Sequence, residues 1–233
     1  MLTLYHCVSA RSFRPLWMLE ELRLPYELRM LPFPPRAAAR DYLAVNPLGT
    51  VPALLDGGLR MTESAAICQY LAARGTPGVR GAPGTHGALD VAAGDPAFGE
   101  YLNWLHFGEA SLTFPQTLVL RYGRFEPEER RQPQVAEDYR RWFLARLRGV
   151  DAVVARQEHL CAQRFTAADV SVGYALMLAE LIGLEPEFSE PVRAYWQRLQ
   201  QREGYRRAMD AQERAAIEQG VSPLPATVTG TQA

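Results

Sequence analysis

A carboxylate and a hydroxyl, Glu63 and Ser64, stand side by side where the sequence predicts the first turn of a helix. Thr62 precedes them as a candidate cap, and Ile67 and Leu71 follow at helical spacing. A helix N-terminus offers unbonded backbone N–H groups and the positive end of the helix dipole, which both favour anions. The pair is therefore suited to a small zwitterion, with its carboxylate on the amides and its ammonium group on Glu63.

A predicted β-hairpin leads into this helix. Residues 52–55 and 59–61 are short apolar runs around Asp56-Gly57-Gly58, a sequence typical of a tight turn between two strands. Val51-Pro52 lies directly before the first of these strands, a position that allows a cis peptide bond.

The remainder of residues 1–76 contains two more strands and two more helices. The strands are predicted at 2–7 and 26–31, and the helices near Pro15 and at 37–44. With the hairpin and its helix, the order is β-α-β-α-β-β-α. The first two strands, joined by a helix, are expected to be parallel with a right-handed crossover.

Composition changes after this segment. Residues 77–94 are rich in glycine and proline and are predicted to be a linker, whereas residues 95–220 have a helical pattern. Thr166 and Asp169 have the spacing of a capping box, which we assign to folding. Residues 221–233 are predicted to be a poorly ordered tail. The helices are predicted at 97–121, 128–160, 167–182, 190–202 and 204–219.

Charge and cysteine content exclude several classes of function. The net charge is −1, so no overall field favours nucleic acid or a membrane surface. All 25 basic residues are arginine, which excludes a Walker-type phosphate loop and a Schiff-base lysine. The 3 cysteines are too few for a disulfide framework, and no His/Cys cluster has the spacing of a metal site. We expect a cytoplasmic protein without a metal.

The run NPLGTVPALLDGG, followed by MTESAAICQYLA, resembles the second half of the N-terminal domain of the glutathione transferases. The resemblance implies an α/β thioredoxin-like domain followed by an all-α helical bundle, a homodimer, and a role in detoxification with glutathione as co-substrate. It also implies that the backbone at Thr50 and Val51, beside a cis Pro52, pairs with the cysteinyl part of glutathione. The γ-glutamyl end would then bind to Glu63 and Ser64.

The same resemblance implies that the catalytic group is a hydroxyl near the start of the first helix. That hydroxyl would lower the pKa of the glutathione thiol from about 8.5. Ser9 matches the serine of the serine-type transferases and is the first choice, and Ser12 is the second, since it is the better candidate for a simple helix cap. Arg11 stands where the maleylacetoacetate isomerase subgroup and the bacterial cysteine-type enzymes carry cysteine, which disfavours both readings. Arg36 and Arg40 are candidates for binding the glycine carboxylate, with simple surface solvation as the alternative.

An aromatic stretch opens the helical half of the chain. Tyr101, Trp104 and Phe107 could line a pocket for an apolar electrophile, although their helical spacing fits a core stripe equally well. The leading prediction is a glutathione transferase that conjugates the thiolate to a small apolar electrophile. One alternative is a glutathione-dependent isomerase or a thiol–disulfide or peroxide enzyme, and another is a non-catalytic binding or assembly protein of the same fold.

Overall fold

The computed structural model describes residues 1–74 and 89–229. Residues Met1–Asp90 and Gln201–Ala226 form one compact unit, and Val91–Gln200 with Thr227–Ala233 form another. Most of the predicted linker, residues 77–88, and the end of the predicted tail lie outside the described residues. The predicted domain boundaries stay a prediction. The compact units do not follow them, because the last long helix of the chain packs in the first unit.

The first unit contains one four-stranded sheet. Its strands are β1 (Leu2–His6), β2 (Tyr26–Met30), β3 (Ala53–Asp56) and β4 (Leu59–Met61). The order in the sheet is β2-β1-β3-β4, with β1 parallel to β2 and antiparallel to β3, and with β3 antiparallel to β4. Burial alternates along β1, since Leu2, Leu4 and His6 are buried. The predicted hairpin and the parallel pair are confirmed.

The helices account for most of the remaining described chain. In the first unit they are α1 (Phe13–Leu22), α2 (Pro35–Ala38), α3 (Ser64–Arg74) and α9 (Glu203–Glu218), with a 3₁₀ turn at Arg40–Ala44. In the second unit they are α4 (Phe98–His106), α5 (Phe114–Leu120), α6 (Pro133–Val154), α7 (Ala167–Leu181) and α8 (Glu190–Gln200). The short α10 (Ala226–Thr229) lies in part of the predicted tail. The expected fold class, thioredoxin-like and then helical, is confirmed.

Three predicted helices differ from those observed. The helix expected at 37–44 is divided between α2, which ends at Ala38, and the 3₁₀ turn at Arg40–Ala44. The helix expected at 97–121 is interrupted by a π-helical segment, Phe107–Thr113, between α4 and α5. The limits predicted for the helix at 128–160 are wrong at both ends, because the observed helix, α6, begins at Pro133 and ends at Val154. Proline has no N–H and fits the first turn of a helix but not its interior. None of the helices in the described ranges is long and apolar enough to span a bilayer.

The capping box at the start of α7 is confirmed. Asp169 is fully buried and accepts hydrogen bonds from the backbone N–H groups of Thr166, at 2.8 Å, and Leu160, at 3.1 Å. The Tyr195 hydroxyl on α8 donates to the same carboxylate at 2.9 Å. Burial raises the pKa of Asp169. This carboxylate joins three segments of the second unit and has a structural role.

Candidate functional site

The register of β1 and β3 places Val51 and Pro52 beside the end of β1. Tyr5 pairs with Ala53 in an antiparallel register, so the residues before Ala53 lie next to those after Tyr5. The Val51–Pro52 peptide bond is cis, as the sequence allows. Pro52 is buried and Val51 is half-buried. The loop that carries Ser9 leaves β1 at this same end of the sheet.

Ser9 occupies a left-handed backbone conformation in this loop. Its φ is 54°, and its side chain is 5% exposed. Residues other than glycine adopt this region rarely, because their Cβ approaches the neighbouring backbone. The Ser9 N–H donates to Oε1 of Gln212, on α9, at 3.0 Å. A helix about 200 residues further along the chain therefore fixes the loop.

Ser12 is engaged in a buried hydrogen-bond network rather than in capping α1. It occupies the N-cap position, but its side chain makes no capping hydrogen bond. Its hydroxyl lies 2.7 Å from Nδ1 of His6 and accepts from the Cys7 N–H at 3.3 Å. Nε2 of His6 lies 3.0 Å from the same Gln212 oxygen that holds Ser9. The simple-cap reading of Ser12 is therefore wrong.

The direction of every bond in this network follows from the Gln212 carboxamide. Its oxygen only accepts, so His6 must carry its proton on Nε2. Nδ1 of His6 then accepts, and the Ser12 hydroxyl donates to it. Burial lowers the pKa of His6 to about 4, which keeps the ring neutral at neutral pH. The Ser12 proton therefore points to His6, and the assignment of Ser9 as the catalytic serine stays a prediction.

Two backbone amides at the start of α1 are already hydrogen-bonded within the protein. The Phe13 N–H donates to the Ala10 carbonyl at 2.8 Å, and the Arg14 N–H donates to the Arg11 carbonyl at 3.3 Å. A side-chain hydroxyl is therefore more important here for stabilising an anion than free amides are.

A buried arginine connects the first turns of α1 and α3. Arg14 is 0% exposed, and its Nη1 donates to Oγ of Ser64 at 3.3 Å. Ser64 is buried as the first residue of α3, while Glu63 directly before it is exposed. The structure therefore brings Glu63 and Ser64, the residues predicted to bind a zwitterion, close to the start of α1.

The predicted cation sites lie on and after α2. Arg36 and Arg40 are both exposed. Gly49, with φ of 60°, packs against Arg36, and a Cβ built there would lie 2.5 Å from the Arg36 Cβ. Thr50 is exposed, and its carbonyl accepts from the Tyr42 hydroxyl at 2.6 Å.

A cavity of about 650 Å³ opens next to Arg40 on the β2 side of the sheet. Its other lining residues include Tyr5, Arg29 and Gln219, but none of the serines and neither Val51 nor Glu63. Arg29 forms an ion pair with Glu27 at 2.7 Å. We therefore place the candidate site at the helix N-termini and not in this cavity.

The predicted electrophile wall is largely packed inside the second unit. Tyr101 is 1% and Trp104 7% exposed, and Phe107 is half-buried. The Trp104 and Phe107 rings meet edge to face at 5.2 Å, against Gly149 of α6. These contacts fit the core-stripe alternative for that pair, and a substrate contact stays a prediction.

The three cysteines of the chain, Cys7, Cys68 and Cys161, are buried. Burial raises the pKa of the Cys7 thiol to about 12 and that of Cys161 to about 11. Thiols in such surroundings are poor nucleophiles. Across residues 1–74 and 89–229, no group of three or more His, Cys, Asp or Glu side chains could hold a metal ion.

Sequence reasoning missed three residues of this site. Nothing local in the sequence distinguishes a buried arginine such as Arg14 from a solvated one. His6 lies on the buried face of β1, and that alternation was the available signal. Gln212 gave no signal, because its partners are 203 and 206 residues away.

Comparison with known proteins provides an independent test of these inferences. Residues 8–74 match the family model described as the N-terminal domain of glutathione S-transferase. Glutathione S-transferase GstA of Escherichia coli O157:H7 is 33% identical over 179 residues, which cover 74% of this chain and 78% of that protein. Glutathione S-transferase 3 of Schizosaccharomyces pombe is 35% identical over 112 residues, and the chain spans only 43% of its length.

A solved structure agrees over most of both chains. The glutathione transferase URE2P6 from Phanerochaete chrysosporium, in complex with oxidized glutathione, has a TM-score of 0.76 and 28% identity. The match covers 93% of this chain and 97% of that one.

Proposed function

The chain belongs to the glutathione transferase family of enzymes, and we propose that it conjugates the glutathione thiolate to a small apolar electrophile. The observation that best supports this is the hydrogen bond from Arg14 to Ser64. It joins the first turn of α3, suited to a zwitterionic amino-acid end, to the start of α1, where the serines lie. A ligand that binds at one helix start therefore reaches the other.

Binding of glutathione is divided between two parts of the site. Glu63 and the N-terminus of α3 hold the γ-glutamyl end through its ammonium and carboxylate groups. The backbone at Thr50 and Val51, beside Pro52, holds the cysteinyl part. Arg36 or Arg40 supplies the cation for the glycine carboxylate, since the chain has no lysine.

Catalysis consists of stabilising the thiolate and holding it next to the electrophile. Lowering the thiol pKa by about two units requires about 2.7 kcal/mol of preference for the anion. A hydroxyl that donates to a charged acceptor contributes roughly 1.5–3 kcal/mol. Ser9 can supply most of this preference, and the buried guanidinium of Arg14 adds to it. Tyr101, Trp104 and Phe107 are the proposed electrophile wall.

Substitution of the two serines tests this assignment. Ser9→Ala should move the acid limb of the pH–rate profile for conjugation upward by about one to two pH units. Ser12→Ala should lower stability, because it leaves His6 Nδ1 without its donor, but should leave the limb in place. A profile unchanged in Ser9→Ala, or shifted only in Ser12→Ala, would remove Ser9 from the catalytic role.

Calorimetric titration with glutathione separates an enzyme from a scaffold that only shares the fold. We expect binding to the wild type and at least tenfold weaker binding to Glu63→Gln, which loses the carboxylate that holds the ammonium group. Glu128→Gln, an exposed carboxylate on a 3₁₀ turn, is the control. Absence of heat with the wild type would favour the non-catalytic alternative.

The nature of the reaction follows from a screen for activity. Aryl halides, enones, epoxides and peroxides should be compared, and conjugation of the first two classes is expected. Thiol–disulfide exchange by a protein cysteine is disfavoured because all three thiols are buried. We propose a homodimer, as the family resemblance implies, and sedimentation at micromolar concentration would detect it.

A further inference from the structure

The left-handed conformation of Ser9 is supported both by its own turn and by a partner outside the loop. A serine at φ of 54° is in a sparsely populated region, and a hydrogen bond from the Ala10 N–H to the Cys7 carbonyl, at 3.1 Å, closes the turn that contains it. The direction of the Ser9 side chain depends on this backbone conformation. Whatever fixes the backbone therefore also aims the hydroxyl.

Gln212 is that partner. It is 3% exposed, and its Oε1 accepts from the Ser9 N–H and from Nε2 of His6, both at 3.0 Å. Its amide nitrogen donates to Sδ of Met209 at 3.3 Å, which sets the orientation of the carboxamide. One oxygen atom therefore fixes the Ser9 backbone and, through the His6 tautomer, the proton of Ser12.

The helix that carries Gln212 is anchored near both ends. Near its start, Arg202 forms a two-bond ion pair with Glu21 of α1, at 2.7 and 3.0 Å. Tyr205 meets Trp17 of α1 edge to face, with ring centroids 5.0 Å apart. Just beyond its end, Gln219 accepts from the Met30 N–H of β2 at 2.9 Å. The carboxamide of Gln212 thus projects from a fixed support.

We propose that Gln212 is a positioning residue for catalysis, which holds Ser9 in the conformation that aims its hydroxyl at the glutathione sulfur. The inference rests on the proposed function of Ser9. Gln212 does not touch the ligand; it acts through the Ser9 backbone and through the His6–Ser12 pair, which keeps the Ser12 proton occupied. The proposed catalytic serine therefore depends on a residue of α9.

This role predicts a particular kinetic signature. In Gln212→Leu the side chain keeps its approximate volume but loses the acceptor, so Ser9 is free to leave its left-handed conformation. The pKa of bound glutathione should rise by about one unit, which is a tenfold loss of thiolate below that pKa. The KM for glutathione should change less than twofold, because Glu63 and Ser64 are unaffected.

Gln219→Leu is a matched control. Gln219 follows the same helix, and its carboxamide also bonds backbone atoms of the sheet, with its nitrogen donating to the Leu28 carbonyl at 2.9 Å. It has no contact with the Ser9 loop. A substitution here loosens α9 without removing the acceptor that holds Ser9, so the bound thiol pKa should not change.

The experiment titrates the ultraviolet absorbance of the bound thiolate in the wild type, Gln212→Leu, Gln219→Leu, Ser9→Ala and the double variant Ser9→Ala/Gln212→Leu. The inference expects a shift in Gln212→Leu that disappears in the Ser9→Ala background, because the effect acts through Ser9. Circular dichroism confirms folding, and Gln212→Met replaces the leucine variant where that variant does not fold.

The outcomes separate the inference from the proposed function. A shift in Ser9→Ala with none in folded Gln212→Leu overturns the role of Gln212 and leaves that of Ser9. An equal shift in Gln219→Leu also overturns it, since general loosening of α9 then explains the result. No shift in Ser9→Ala overturns the proposed catalytic serine and the inference with it.

Discussion

Acidification should destabilise the protein through one buried histidine, His6. Its ring is fully buried, and burial lowers its pKa to about 4 from an ordinary value of 6.5. Between these two values the unfolded chain binds a proton that the folded chain does not. Stability from this group is therefore fully present above pH 6.5 and is lost as the pH falls toward 4.

The size of the effect follows from the two pKa values. A difference of this size corresponds to roughly 3 kcal/mol at the acid limit. Integration between pH 7.5 and pH 5 gives a loss of about 2 kcal/mol, and continuation to pH 4 gives about 3 kcal/mol. These values are a large fraction of the stability of a typical domain, about 5–15 kcal/mol.

Urea unfolding of the wild type and of His6→Gln at several pH values isolates this contribution. The glutamine keeps a donor for Gln212 but does not titrate, and the other ionisable groups are shared by both proteins. From pH 7.5 to pH 4, the unfolding free energy of the wild type should fall by about 3 kcal/mol relative to that of His6→Gln. A difference that stays constant over this range would refute a buried neutral His6.

Two further predictions concern the second unit, each with a matched control. Gly108→Ala should lower stability by about 1–3 kcal/mol, since a Cβ there would lie 2.6–2.7 Å from the backbone carbon and oxygen of Ser171 on α7. Gly149→Ala, whose Cβ would meet only ordinary contacts, should be neutral or stabilising by up to about 1 kcal/mol in thermal unfolding. Equal losses in both would contradict the close approach at Gly108. Asp169→Ala should lower the unfolding free energy in urea by about 3 kcal/mol, because it leaves several buried donors unpaired. Asp138→Ala, which removes an exposed carboxylate on α6, should change the unfolding free energy by less than about 0.5 kcal/mol, and similar losses would contradict the capping network.

Local patterns in the sequence predicted the parts of the fold that depend on neighbouring residues. The Asp56-Gly57-Gly58 turn, the parallel first pair of strands and the box formed by Thr166 and Asp169 depend on residues within a few positions of one another, or on a rule about the handedness of crossovers. The end of the helix predicted to 160 was wrong, since α6 ends at Val154 and only Ala155 and Leu160 are apolar in the six residues after it. Periodicity indicates a helical face but not the residue at which the helix ends.

The candidate site was only partly predictable for the same reason. Glu63 and Ser64 are adjacent and open a helix, so their chemistry could be inferred from type and position. The preference for Ser9 over Ser12 came only from the family resemblance, because local sequence does not show where the Ser12 proton is bonded. That depends on His6 and on Gln212, and the second of these lies on a helix far along the chain.

Helix α9 shows why domains predicted from sequence composition differ from the compact units formed by packing. The sequence marks it only as one more amphipathic helix among several, and amphipathicity does not indicate which surface the apolar face covers. In the structure it belongs to the compact unit of the sheet, held by Arg202 on Glu21 and by Tyr205 on Trp17. The support of the proposed catalytic loop is thus supplied by a late segment of the chain. Because Gln212 of this segment accepts from the Ser9 N–H, the proposed site draws on both chain segments of the first unit.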